Sequence, residues 1–410
     1  MRNFSDKATG STEENILLLA RNAITVIERN QSTLDDLLDT PEYRPLRRTL
    51  SHLLMEYFKR KKVIDSTLET FFRKIPAPET FSLLKAALTQ AVTQERMAPQ
   101  AVVNVAVEVA KKERNQGFVN AVLRRALESF KKKKLSSAPA DVLPDKLLNR
   151  WKKEFSQPVI EQLTDAFSST ADFTFRIEKQ QFPESFEYQK AHTICSKFPF
   201  GSAKPSDVLN SQEFQSGKLY IQDPAASLAV SIAPDKDFDN ILDLCAAPGG
   251  KSLMLLEKYP NVRKFTAFDR SEKRQQLTKK NFELRNIPHK VSSDRKDLED
   301  TWNLILIDAP CSNTGVFRRR PDALWRFSES ELEKTAAIQK ELLDFAASRL
   351  AADGYIIYST CSIENLEDEQ QIEMFLSRHP DFICENMKKL LPSREHDGAF
   401  CALLKKAGGR

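Results

Sequence analysis

From about Tyr220 onward the chain alternates short apolar runs with longer stretches of helical period, and no other feature limits its fold as strongly. The runs lie at 241–244, 265–268, 304–307 and 355–358. Strands buried on both faces read as continuous apolar runs, and strands separated by helices pair in parallel. The region 218–410 is therefore predicted as an α/β, Rossmann-like domain whose mostly parallel sheet is covered by helices. In such sheets ligands bind outside the carboxyl ends of the strands. The residues that follow each run are thus the candidate functional ones.

The first two hundred residues read differently. Between 12 and 130 the apolar residues recur at three- and four-residue spacing, as in Leu17, Ala20, Ile24 and Ile27, or Val102, Val105 and Val109. Strand-like alternation is nearly absent, and Pro41, Pro45, Pro76, Pro78 and Pro99 fall between the periodic stretches, where they can end one helix and open the next. Residues 1–134 are expected to form an all-helical domain. The four lysines at 131–134 and the following Leu135-Ser136-Ser137-Ala138-Pro139 open a linker and small α+β segment over 135–217, with a helical stretch at 146–155 and an alternating one at 173–177. Residues 1–134 hold 24 Lys and Arg against 16 Asp and Glu, a net of +8, which leaves 38 against 41 in the rest. Such asymmetry suits either a module that meets a phosphate backbone or a set of solvated helix faces.

Several classes are disfavoured. The longest apolar runs, 101–110 and 303–307, are far short of the ~20 residues a membrane span needs, and the first residues lack an apolar signal core. A cytoplasmic monomer without membrane attachment is expected. The six cysteines, Cys195, Cys245, Cys311, Cys361, Cys384 and Cys401, form no C-x-x-C and no Cys/His cluster at zinc spacing, so neither a disulfide framework nor a metal site is expected.

The first run leads into Cys245-Ala246-Ala247-Pro248-Gly249-Gly250-Lys251-Ser252 before a helix begins. Paired glycines between strand and helix let a ligand approach the backbone, and the helix N-terminus offers unpaired N–H groups. The loop lacks both the dinucleotide fingerprint and the phosphate-loop pattern, which favours a nucleoside without a pyrophosphate. Asp269 closes the next run about twenty residues on, where a carboxylate can accept from ribose hydroxyls. Asp294, beyond a third candidate strand at 290–292, either reaches an adenine or is an exposed loop acid.

The fourth run ends Asp308-Ala309-Pro310-Cys311 and the fifth ends Ser359-Thr360-Cys361. Two cysteines 50 residues apart thus emerge at one edge of one sheet, beside the glycine loop. A thiolate can attack carbon 6 of a pyrimidine and make carbon 5 rich enough to take a methyl group from a sulfonium donor; a base must then remove the carbon-5 proton. Two thiols and a carboxylate suit those steps. Arg318-Arg319-Arg320 with Trp325 and Arg326 either meets nucleic acid or forms a surface loop anchored by a buried tryptophan.

These motifs, with Ser312-Asn313-Thr314-Gly315, Pro321-Asp322, Ser362-Ile363-Glu364-Asn365 and the terminal Asp397-Gly398-Ala399-Phe400, resemble the RNA cytosine-5 methyltransferases, above all the bacterial RsmB (Sun/Fmu) type that modifies small-subunit ribosomal RNA. The stretches 98–111 and 117–124 resemble the end of a NusB-like RNA-binding domain. The resemblance implies S-adenosylmethionine as cofactor, held by Cys245, Ala246, Ala247, Pro248, Gly249, Gly250, Lys251, Asp269, Asp294 and Asp308. It also implies Cys361 as nucleophile, Cys311 as helper in product release and Asp308 at the cytosine edge. The chain departs from the family pattern in Arg295-Lys296 after Asp294 and in Val105, where an acid is common. The partner implied is RNA with an unpaired or flipped base. Transfer RNA as substrate, or a non-catalytic RNA-binding assembly factor, are the competing readings, and the missing dinucleotide glycines disfavour a dehydrogenase.

Overall fold

Helix-forming stretches account for the first unit of a computed structural model that describes residues 11–94, 97–132 and 138–408. Contacts group Met1–Ser168 with Phe317–Arg326 in that unit, and Ser169–Val316 with Phe327–Arg410 in a second. In the first, helix Thr12–Glu28 starts where the Ser11 hydroxyl accepts from the Glu14 N–H at 3.3 Å, a cap that satisfies an orphan donor. Its stripe of Leu17, Ala20, Ile24 and Ile27 is buried. Pro78 and Pro99 each open a helix, Pro78–Thr93 and Pro99–Lys111, because the fixed proline φ suits the first turn and its missing N–H costs nothing there. Val102 and Val109 enter the core while Val105 only packs against its margin.

The segment expected as one α+β piece divides between the units. Helices Asp145–Glu154 and Gln157–Ser168 join the first, where Trp151 and Phe167 pack 6.0 Å apart and both meet Phe317. Of the four lysines, the side chains at 131–134 lie outside the described residues, as does the stretch 133–137.

Helix Pro321–Arg326 carries the end of the arginine-tryptophan run. Arg318 is buried, the Trp325 Nε1–H donates to the Phe58 carbonyl at 2.7 Å, and Lys61 Nζ sits 5.5 Å from the indole centroid. The tryptophan is an anchor in the helical core, and Arg320, exposed, pairs with Asp35.

The second unit holds two sheets. In chain order the strands are β1 (Thr174–Ile177), β2 (Gln189–Lys190), β3 (Phe200–Ser202), β4 (Leu219–Ile221), β5 (Asn240–Asp243), β6 (Lys264–Phe268), β7 (Lys290–Ser292), β8 (Trp302–Asp308), β9 (Leu350–Thr360), β10 (Phe382–Leu390) and β11 (Ala399–Lys406). The small sheet is antiparallel, ordered β2-β3-β1-β4. The large one is ordered β10-β11-β9-β8-β5-β6-β7, with β5 to β9 parallel and the last two strands antiparallel. Side chains alternate between its faces: Ile241, Leu304, Leu306 and Ile357 enter one core, and Leu242, Ile305, Ile307 and Ile356 the other. Burial on both sides is why these strands read as unbroken apolar runs. The strand order reverses at β5, whose neighbours are β6 on one side and β8 on the other, so a crevice is expected beyond their carboxyl ends.

Candidate active site

The glycine loop follows β5 and is tied to its neighbours through the backbone. Leu244 N–H donates to Leu306 O and Ala246 N–H to Phe268 O, both at 2.8 Å. Arg274 and Asn281 donate to the carbonyls of Ala247 and Pro248 at 2.7 and 2.9 Å, which fixes those carbonyls from the side of helix Glu272–Leu284. Gly249 has φ of 104°, a left-handed conformation that favours glycine. A Cβ on Gly250 would lie 2.7 Å from Gln222 Nε2 and 2.8 Å from Tyr220 Cε1, so only glycine fits at the head of helix Gly250–Lys258. Burial, then the neighbouring carboxylates Asp243, Asp308 and Asp269, push the Cys245 thiol up, which leaves it an unreactive wall of the loop.

Asp269, at the end of β6, is buried; its Oδ1 accepts from the Ser271 N–H at 2.9 Å and its Oδ2 lies 3.5 Å from Arg274 Nη1. Asp294 is exposed and caps the turn Arg295–Leu298, accepting from the Lys296 N–H at 3.0 Å. It lines a concavity of about 350 Å³ with Glu272, Gln275, Lys279 and Val291. Asp243 ends β5 fully buried, with Oδ2 accepting from Ser252 Oγ at 2.6 Å. Burial raises its carboxyl to about 7, and the nearby Asp308 adds to the rise. The paired glycines, the helix N-terminus and the buried Asp269 fit an adenosyl group carrying an amino acid.

Beyond β8 and β9 the two cysteine loops meet. These strands pair in parallel with Asp308 opposite Ser359, and Ala309 N–H donates to Ser359 O at 2.8 Å. The pairing brings Cys311 Sγ within 3.2 Å of Cys361 Sγ, both half-buried. Cys361 Sγ also lies 3.3 Å from Asn313 Oδ1, and Asn313 donates back to the Cys311 carbonyl at 3.0 Å. Gly315 fixes the distance from below: its N–H donates to Cys361 O, its carbonyl accepts from Gly398 N–H, and a Cβ there would stand 2.6 Å from Cys361 O. The hydrogen bond to Cys361, then burial, hold the Cys311 thiol well above its ordinary value. Lys251 Nζ pairs with Asp308 Oδ1 at 2.7 Å. Burial pulls this lysine down, but Asp308 more than offsets it, and the ammonium persists above its usual range.

Of the residues expected at the site, the cysteine pair, Lys251 with Asp308, and the glycine loop line one edge of the sheet, and Asp269 follows the adjacent strand. Asp294 stands apart on an exposed turn. Sequence reasoning gave no role to Asp243, Glu367 or Gln339. A lone acid closing an apolar run was the available signal for Asp243; nothing local distinguishes Glu367 from a solvated acid in Glu364-Asn365-Leu366-Glu367-Asp368-Glu369. Among the described residues no His, Cys, Asp or Glu cluster could hold a metal ion, and no helix is long and apolar enough to cross a membrane.

The family model for 16S rRNA methyltransferase RsmB/F matches residues 229–405, and that for the NusB family matches residues 15–128. A ribosomal RNA small subunit methyltransferase B of Vibrio cholerae is 31% identical over 342 residues, covering 76% of this chain and 78% of its own. The Bacillus subtilis protein named "Probable ribosomal RNA small subunit methyltransferase B" is 26% identical over 413 residues, covering 92% and 91%. The solved structure of PH0851 shares the fold, with a TM-score of 0.72 at 21% identity, over 98% of this chain and 100% of that one. The chain belongs to the ribosomal RNA small subunit methyltransferase B family, which is a family of S-adenosylmethionine-dependent RNA methyltransferases.

Proposed function

We propose that the protein methylates carbon 5 of a cytosine in small-subunit ribosomal RNA through a covalent adduct between Cys361 and carbon 6. The observation that carries this reading is the cysteine pair, with sulfurs 3.2 Å apart at the ends of adjacent strands. S-adenosylmethionine, when bound on the glycine loop, supplies an electrophilic methyl group. Cys361 takes the attacking role that the resemblance to the family implies, with the Cys311 sulfur at hydrogen-bond distance from it. The Cys361 thiol gives its proton to solvent and its sulfur bonds to carbon 6; the ring electrons move to carbon 5, which takes the methyl group as the donor's methyl–sulfur bond breaks and its sulfur leaves neutral. The new thioether no longer shares a proton with Cys311, so the largest cause holding Cys311 protonated disappears at the step that needs a base. Cys311, its own proton released to solvent, then takes the carbon-5 proton, the double bond re-forms, and the carbon–sulfur bond breaks to free Cys361 as a thiolate.

Asp308 accepts from the amino edge of the base, a role supported by its ion pair with Lys251, which orients the carboxylate. Asp269 accepts from the ribose and Asp294 meets the adenine end. The target base is unpaired or flipped, since a stacked cytosine hides carbon 6. The helical unit, matched by the NusB family, takes RNA backbone through the +8 of residues 1–134. The enzyme acts in the cytoplasm as a monomer without a metal.

The test is a denaturing gel with labelled small-subunit ribosomal RNA, transcribed in vitro, and S-adenosylmethionine. Cys361→Ala should abolish both methylation and any slow-migrating adduct, while Cys311→Ala should accumulate the adduct because release fails. A band with Cys361→Ala and none with Cys311→Ala would reverse the two roles. Neither product nor adduct in any form would favour a non-catalytic assembly factor, and product on transfer RNA alone would change the substrate.

A further inference from the structure

Glu367 has no part in the steps above, yet its partners all fall around Cys311. It is fully buried, and its carboxylate accepts from the Ser312 N–H at 2.9 and 3.2 Å, Ser312 Oγ at 2.5 Å, Thr335 Oγ1 at 2.7 Å and Gln339 Nε2 at 3.2 Å. Gln339, also buried, donates from the same amide to the Pro310 carbonyl at 2.8 Å. Residues 310 and 312 flank Cys311, so the two side chains grip the loop on either side of the thiol. Thr335 and Gln339 lie four residues apart on helix Glu329–Arg349, hence on one face of it. The loop is thereby fastened to a rigid element that spans 21 residues. These donors are all neutral. Taking a carboxylate out of water is costly, and four neutral donors offset that cost only while the loop keeps its present place.

We propose that Glu367, backed by Gln339, is a positioning residue that sets the Cys311 sulfur against Cys361. The proposal rests on Cys311 acting in release, but its geometric core can be tested without that reading. A bifunctional alkylating reagent such as dibromobimane joins thiols that lie close together, and mass spectrometry identifies the Cys311–Cys361 peptide in the full-length protein. In Glu367→Ala, with circular dichroism and S-adenosylmethionine affinity unchanged, the yield of that peptide should fall several-fold.

On unmethylated ribosomal RNA, kcat should drop by roughly 10- to 100-fold with KM little changed, as expected when a reacting group moves by about an ångström. The covalent adduct should accumulate as it does in Cys311→Ala. Glu367→Gln keeps one acceptor oxygen and should fall between the parent and Glu367→Ala. A purely structural role would lower stability without shifting the balance of adduct to product.

Should Glu367→Ala not fold, Ser312→Ala removes a single donor and is read in the same way. A folded Glu367→Ala protein that crosslinks like the parent overturns the proposal. If crosslinking falls while Cys311→Ala itself shows no adduct, the positioning role stands and the release role of Cys311 is what fails.

Discussion

The two flanks of the large sheet's carboxyl edge satisfy their polar groups in opposite ways. Beyond β8 and β9 they turn inward: Thr314, Ser362, Glu367 and Asp368 are fully buried and bond to one another's loops. Beyond β6 and β7 the edge is open, with Asp269 buried but Asp294 exposed and, among the described residues, bonded within its own turn. Chemistry at two sulfurs requires their distance to be set before the substrate arrives, because misplacement by about an ångström costs rate steeply. A group that recognises a bound nucleoside can instead be met by the ligand. The closed flank is preorganised, and the open one leaves Asp294 at the surface.

Asp243, at the seam between the flanks, should give the largest response. Its carboxyl is raised from 3.8 to about 7, so the folded state holds this proton more tightly than the unfolded chain. Its contribution to stability therefore falls as pH rises from the unfolded value towards the folded one, and the full cost, on the order of a few kcal/mol, stands above about pH 7. Asp243→Asn should flatten that slope, so urea midpoints at about pH 5 and about pH 8 converge relative to the parent. An unchanged difference between the two midpoints would remove Asp243 as its source.

Asp269→Ala comes next and sharpens the comparison from the cofactor side. If Asp269 accepts from the ribose as proposed, its loss should weaken S-adenosylmethionine binding by about 1–3 kcal/mol in calorimetry. Unchanged affinity would take Asp269 out of the site. Asp294→Ala should have the smallest effect: a stability change within about 0.5 kcal/mol, as for other exposed positions, and a smaller loss of affinity than Asp269→Ala. A loss equal to that of Asp269→Ala would show that the open flank closes around the ligand, and the contrast between the flanks would then belong only to the free protein.

Much of this site was legible because it is written in local pattern. Apolar runs near 241, 265, 304 and 355 marked the strands, the glycines after the first marked the loop, and the cysteines sat at strand ends. The arginine-tryptophan run was ambiguous for a physical reason: whether Trp325 faces nucleic acid or a helical core depends on where its segment docks, and it docks on Phe58. Helices at 145–154 and 157–168 likewise went with the helical unit because their apolar faces found partners there, a preference that periodicity alone does not express.

By itself the sequence determined that thiols, carboxylates and paired glycines sit at strand ends, since the period of burial and the identity of those residues are properties of neighbouring residues. Only the tertiary structure decided that β8 lies beside β9, so that cysteines 50 residues apart come within 3.2 Å. It also turned Glu367, one acid in an acidic stretch, inward onto the Cys311 loop. Strand order and burial are settled by packing between distant segments, and a buried carboxylate is tolerated only where that packing supplies its donors.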